Sequence, residues 1–238
     1  MLCLVRGPYV VRGGLPVAVP EGSQRLLAYV ALHGGRVDHR RAAGTLWPGG
    51  SDDRAAGNLR SALWRLKSAG VEVLRTDKTL LTLAPGAVTD VDQLCDWATR
   101  VIAGRADAAD LQPFEGCMEA AEILPGWYDD WVITERERIR QKLLHGLEAL
   151  GRCFLAHHRP LYAIDAALQA IRIEPLRESA QHLLIDAHLA EGNVIEALRS
   201  YDAYAAMLRS ELGIRPNPAL GAGLPTRKSD VWVTVAPP

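Results

Sequence analysis

The stretch DDRAAGNLRSALWRLKSA, residues 52–69, decides the fold; Ser51 precedes it and Gly70 follows it. Ser51 or Asp52 can start a helix here, and the glycine closes it. Ala55, Leu59, Ala62 and Leu66 recur at steps of four, three and four, which makes one apolar stripe with Leu63 beside it. Arg54, Asn58, Ser61 and Arg65 repeat the same steps and are expected on the opposite side, with Arg60, Trp64 and Lys67 on a flank. A helix with an apolar back and an Arg, Asn and Ser front fits a major groove: Arg suits guanine and phosphate, Asn can pair bidentately with adenine, and Ser is adaptable. Asp52 and Asp53 favour the helix dipole in the first turn. The same pair repels phosphates, which keeps the extreme N-terminus off a nucleic-acid backbone. Periodicity alone leaves open a plainer alternative, a solvated face on an ordinary amphipathic helix. Trp64 is expected to pack on its own wing or a neighbouring unit; ring contact with a sugar or a thymine methyl is the other reading.

Working outward, residues 2–11 and 17–19 are apolar and β-branched around Gly13 and Gly14, and read as a small strand pair. A helix opens at Pro20 to Ser23, carries Leu26, Leu27 and Val30, and stops at Gly34 and Gly35. Asp38 can cap a second helix that ends near Leu46 and Trp47, before Pro48. Arg40 and Arg41 open that helix, near where it meets the backbone in winged folds; the alternative is a solvated helix start. Residues 71–75 and 79–83 are strand-like, with Asp77 and Lys78 at the hairpin tip. Strands, three helices and a hairpin in this order describe a winged helix-turn-helix.

Beyond Val91 the chain turns to longer helices. Residues 91–104 and 107–111 come first, then a loop-like stretch over 112–126, then a long charged helix over 134–158. Thr134 and Glu137 have capping-box spacing, although Asp129 or Asp130 can start the helix earlier. Glu135, Arg136, Glu137, Arg138, Arg140 and Lys142 read as a solvated face with mixed ion pairs. An internal repeat runs at an offset of 34: Leu161 matches Ile195, Ala163 matches Ala197, and Ile164 matches Leu198. That period in helix pairs is the tetratricopeptide pattern. Pro175 is expected to begin the intervening helix pair, and Pro216 and Pro218 to end the last. Such pairs serve a protein partner or act as a scaffold. The expected fold is therefore mainly α, with a winged-helix DNA-binding domain over 1–90, tetratricopeptide-like helices over 91–220 and an irregular tail over 221–238.

Composition narrows the function. The 238 residues hold 27 Lys and Arg against 28 Asp and Glu, for a net charge of −1. Residues 1–90 are basic by +5 and the rest acidic by −6, which suggests a polyanion partner for the first part. No apolar run is long enough to cross a membrane and no export signal opens the chain, so a cytoplasmic location is expected. Cys3, Cys95, Cys117 and Cys153 share no short spacing, so neither a disulfide frame nor a zinc site is expected. His157 with His158 and His182 with His188 lack His-x-x-x-His spacing, and no nucleophile elbow or dinucleotide glycine turn occurs. The chain is not expected to be an enzyme or to need a cofactor.

These stretches resemble the actinomycete antibiotic regulatory protein family. Gly7, Pro8, residues 24–27, Leu46, Trp47 and residues 58–66 look like its winged-helix part. Residues 124–132, 135–138, 174–180 and 201–216 closely resemble its bacterial transcriptional activation domain. The resemblance covers about residues 2–220. It implies an activator that binds direct repeats in double-stranded DNA near promoters, commonly of secondary-metabolite gene clusters, and recruits RNA polymerase holoenzyme. Two protomers can sit side by side on the DNA as a homodimer. Carried over, the recognition-helix residues are Arg54, Asn58, Arg60, Ser61, Trp64 and Arg65, with Thr76 and Lys78 from the wing. The return strand, Lys78 to Leu83, departs from the Gly-Tyr-Arg-Leu pattern usual there, which implies either a looser grip by the wing or a different packing of its apolar residues. The tail also departs, with a strand-like run over 231–235. No Gly-x-x-x-x-Gly-Lys-Ser/Thr loop is present, so a short stand-alone form without ATP-driven control is expected. The alternative function is a helical-repeat interaction scaffold whose winged domain does not bind DNA.

Overall fold

The computed structural model describes residues 1–113 and 116–225. The chain forms two compact units, Met1–Gly146 and Leu147–Pro238. Its architecture is mainly helical: a winged helix, followed by a helical repeat. The strand-like run at 231–235 lies outside the described residues.

The first unit opens with an antiparallel sheet of β1 (Leu2–Cys3), β2 (Tyr9–Arg12) and β3 (Leu15–Ala18). Three strands stand where the sequence suggested a pair. Gly13 and Gly14, at φ +57° and +80°, make the tight turn that sets Arg12 opposite Leu15. Helix α1 (Glu21–Leu32) follows and ends at Gly34 and Gly35, both in the left-handed region. Strand β4 (Arg36–Asp38) then leads into α2 (His39–Leu46). The Asp38 carboxylate accepts the amides of Arg40 and Arg41 at 2.8 and 3.1 Å, as an N-cap should. Helix α3 (Asp52–Ser68) starts from Ser51, whose hydroxyl accepts the Arg54 amide. It closes with Gly70 and Val71 donating back to Lys67 and Leu66. The wing is β5 (Leu74–Thr76) and β6 (Leu80–Leu83), and β6 also pairs with β4, giving the order β4-β6-β5.

One core unites these parts. Ala55, Leu59 and Ala62 of α3 are buried with Leu26, Tyr29 and Val30 of α1, Val37 of β4, Ala42, Ala43 and Leu46 of α2, and Leu81 of β6. The stripe at steps of four, three and four is therefore the face that holds α3 on the domain.

Helix α4 (Asp90–Ile102) is capped by Thr89, whose hydroxyl accepts the Asp92 amide at 2.8 Å. Residues 107–111 form turns, not the expected helix. The Asp107 carboxylate takes the amides of Ala109 and Asp110, a side-chain turn that competes with helix. Arg100 then clamps Asp110 through two hydrogen bonds of 2.8 and 2.7 Å, and Trp97 donates to its carbonyl. A short helix, α5 (Cys117–Ala120), lies inside the stretch expected to be loop. Helix α6 (Asp130–Ala156) begins upstream of Thr134, which sits inside the helix and bonds back to the Asp130 carbonyl. Its start is held by Arg136, which donates to the carbonyls of Ile123, Leu124 and Trp127. Trp131 packs edge-on against Tyr29 at 5.2 Å, and Arg25 pairs with Asp129.

In the second unit, α6 runs on to Ala156 and is followed by α7 (Pro160–Ile173), α8 (Glu178–Glu191), α9 (Val194–Leu212) and a 3-10 turn (Pro218–Gly221). Pro160 and Val194, 34 positions apart, each open a helix, so the sequence repeat is also a structural one. Pro175 lies in the turn before α8 instead of opening a helix. Small residues stand where these helices meet: Ala163, Ala166, Ala167 and Ala170 are all buried on α7. Tyr204, Ile185, Ala197, Leu208 and Leu220 close the far end of this core. Among the described residues, no helix is long and apolar enough to cross a membrane.

Candidate nucleic-acid interface

The side of α3 that faces away from the core is not quite the one the sequence suggested. With Ala55, Leu59, Ala62 and Leu66 buried, the residues farthest from them at 100° per residue are Asp53, Gly57, Arg60 and Trp64, with Ser61 beside them. Arg60, Ser61, Trp64 and Lys67 are exposed, whereas Asn58 and Arg65 are half-buried. Arg54 is exposed at the start of the helix. Of the expected stripe, Arg65 therefore turns toward α1 and Asn58 toward the residue 47–50 loop, Arg54 and Ser61 stay exposed, and Arg60 with Trp64 stands outermost. At 100° per residue the 54, 58, 61 and 65 stripe lies about 100° round from the apolar one and so forms a flank, and the packed neighbours add that this flank is the partly covered one.

Arg65 illustrates the point. Its Nη2 donates to the Gly22 carbonyl at 3.1 Å, and its Nε is buried without a partner. A Cβ on Gly22 would lie 3.0 Å from that guanidinium, so the absence of a side chain there lets the arginine lie against α1. Asn58 and Arg54 line a small recess with Trp47, Gly49 and Gly50.

Trp64 contradicts the packing expectation. The residue is 68% exposed.

Beside the outer face, α2, α3 and the wing enclose a cleft of about 770 Å³. It is lined by the exposed Arg40, Arg60, Asp52, Asp53 and Thr76, the half-buried His39 and Leu63, and the buried Ala43, Ala55 and Leu59. Arg41 is exposed one residue beyond Arg40. The cleft thus brings two of the predicted arginines to one wing residue. His39 was missed in the sequence although it directly follows the cap Asp38; its Nε2 lies 2.9 Å from the Thr76 hydroxyl. Only the pairing of β4 with β6 brings those two residues together, and β4 itself is too short to announce its periodicity.

Lys78 is exposed at the wing tip. The tip is shaped by Asp77, whose carboxylate accepts the amides of Thr79 and Leu80, both at 2.8 Å. Those backbone hydrogen bonds hold its pKa below the usual carboxylate range, with a smaller contribution from His39 and Arg36. The tip is therefore ordered by an acid and presents a base.

Among the described residues, no group of three or more His, Cys, Asp and Glu side chains is placed to hold a metal ion. The arrangement can do what a convex cationic ridge with a flanking wing does: enter a groove and hold the phosphates on either side.

Residues 105–223 match the model of the bacterial transcriptional activator domain. A solved structure described as Mycobacterium tuberculosis EmbR in complex with low affinity phosphopeptide superposes with a TM-score of 0.67 over 93% of this chain, at 20% identity. The match covers 62% of that chain, so this protein spans somewhat under two thirds of its length. No curated protein matches the sequence.

Proposed function

The chain belongs to the bacterial transcriptional activator domain family, and from that premise we propose that it is a sequence-specific DNA-binding activator of transcription. In this reading residues 1–90 bind a duplex and residues 91–220 contact the transcription machinery, RNA polymerase holoenzyme. The targets are direct repeats near promoters, in a secondary-metabolite gene cluster, and two protomers bind side by side.

The observation that carries the reading is the exposed face of α3 with Arg60, Trp64 and Lys67, flanked by Arg40 and Arg41 on α2 and Lys78 on the wing. A helix whose outward side is basic, standing beside a wing with a cation at its tip, matches the charge and width of a major groove. Binding of this kind releases counterions. Four to six phosphate contacts give a slope of about −4 to −5 in log K against log salt.

A gel-shift series with the protein's own upstream and neighbouring promoter fragments, run from low to moderate salt, tests it. A shifted band with that slope supports the reading. No shift at low salt favours an interaction scaffold whose winged part leaves DNA alone.

A further inference from the structure

We propose that Trp64 is a specificity-determining residue that packs its indole on the 5-methyl group of a thymine in the major groove, while Arg65 acts as a positioning residue that sets the rotation of α3. This deepens the DNA-binding reading above and rests on it.

The argument begins with exposure. A tryptophan at 68% exposure leaves a large apolar ring in water on a helix whose neighbours, Arg60, Ser61 and Lys67, are all polar and exposed. Arg60 lies one turn before it on the same outward side, and Lys67 three residues after it. A partner for this face must offer negative charge around one apolar spot. On the major-groove edges of the four base pairs, the thymine methyl is the one large apolar group; the rest are hydrogen-bond donors and acceptors and the small cytosine C5–H. The charge on either side of the ring suits the phosphates that border such a spot.

The rotation of α3 decides which side chains arrive there. Arg65 is held to the Gly22 carbonyl of α1, with its Nε buried, so it is oriented toward its own domain. Asn58 is half-buried on the same flank. A rotation of the helix that brought Arg65 outward would bury Arg60 and withdraw Trp64. The bond between Arg65 and Gly22 therefore selects Arg60 and Trp64 as the outermost pair.

The test uses the full chain. Binding sites are selected from a randomised duplex pool, and each thymine of the preferred duplex is replaced in turn by deoxyuridine, which removes only the methyl group. The proposal expects a thymine at which this loss weakens wild-type binding about fourfold, the worth of one buried methyl-sized group. At that position the Trp64→Ala chain should bind the two duplexes alike, and Trp64→Phe should keep part of the discrimination. Both variants should melt as the wild type does, because the ring contributes little to the core. A wild-type chain indifferent to every thymine methyl overturns the proposal, as does a Trp64→Ala chain that still discriminates. If that variant discriminates normally but loses self-association in the absence of DNA, the ring belongs against a second copy and the proposal is likewise overturned. A chain that enriches no duplex at all overturns the DNA reading itself, a result distinct from DNA binding without methyl discrimination.

Discussion

Arg65 on α3 donates from Nη2 to the carbonyl of Gly22 on α1, across 3.1 Å, and spends on its own domain a guanidinium that the sequence offered to DNA. Its effect should separate into stability and specificity. A hydrogen bond from this half-buried guanidinium to the carbonyl of an exposed glycine contributes about 0.5–1.5 kcal/mol. Arg65→Ala should accordingly lower the melting temperature by about 1–6 °C at this chain length, measured by calorimetry. Its DNA affinity should fall less than that of Arg60→Ala. An Arg65→Ala chain that melts normally yet loses base discrimination would make Arg65 a reader of bases.

The cations that flank α3 should behave as phosphate contacts. Arg40→Ala, Arg41→Ala and Lys78→Ala should each weaken binding about equally for preferred and random duplexes. Each should also reduce the slope of log K against log salt by about one. Fluorescence anisotropy titrations at several salt concentrations measure both quantities. A change confined to the preferred duplex would make the residue a base reader.

Glu148 makes the second unit sensitive to acid. Its carboxylate is buried and accepts hydrogen bonds from Arg177, Arg152 and Ser179, the last at 2.6 Å. Burial pushes its pKa up, but the hydrogen bonds from Arg177 and Ser179 and the charges of the two arginines together outweigh that and hold it below the usual glutamate range. A lowered folded pKa means the stabilisation is complete above the unfolded value of about 4.3 and is lost as pH falls through the folded value. Thermal unfolding of the wild type should therefore weaken below about pH 4 more steeply than that of Glu148→Gln. At neutral pH, Glu148→Ala should cost about 3 kcal/mol, because it removes the buried carboxylate that Arg177, Arg152 and Ser179 all bond. Equal melting curves for wild type and Glu148→Ala at neutral pH would refute this role.

Gly151 sets how closely α6 and α8 approach. A Cβ at this position would collide with the Leu183 side chain. Gly151→Ala should destabilise by about 1–3 kcal/mol, the usual range for overpacking, despite the better helix propensity of alanine. Leu183→Ala in the same chain should recover part of the loss, since the two changes share one space. Denaturant melts of the single and double variants give the coupling directly. Additive losses would mean that the alanine at 151 does not clash with Leu183.

Much of the winged helix could be read in advance because its signals are local. Asp38 and Ser51 cap the helices they precede, Gly70 closes α3, and the buried residues of α3 are the four in the expected stripe. The offset of 34 likewise reappears as the helix starts at Pro160 and Val194. The misreadings share a different cause. Strand β4 is three residues long and exists because Val37 finds Leu81 more than forty residues later. The helix expected at 107–111 lost to a side-chain turn at Asp107 and to the Arg100 clamp, a contact from another element.

The sequence by itself determined which face of α3 is apolar, where the three helices of the winged part begin and end, and that a basic first part joins an acidic second. Those properties depend on neighbours within a few positions, where backbone geometry and side-chain period act directly. Only the tertiary structure decided which polar flank of α3 faces outward, because that depends on what α1 and the wing cover. It turned Arg65 inward to Gly22, left Trp64 in the open, and set His39 against Thr76. Those three placements follow from long-range packing, which has no period to read along the chain.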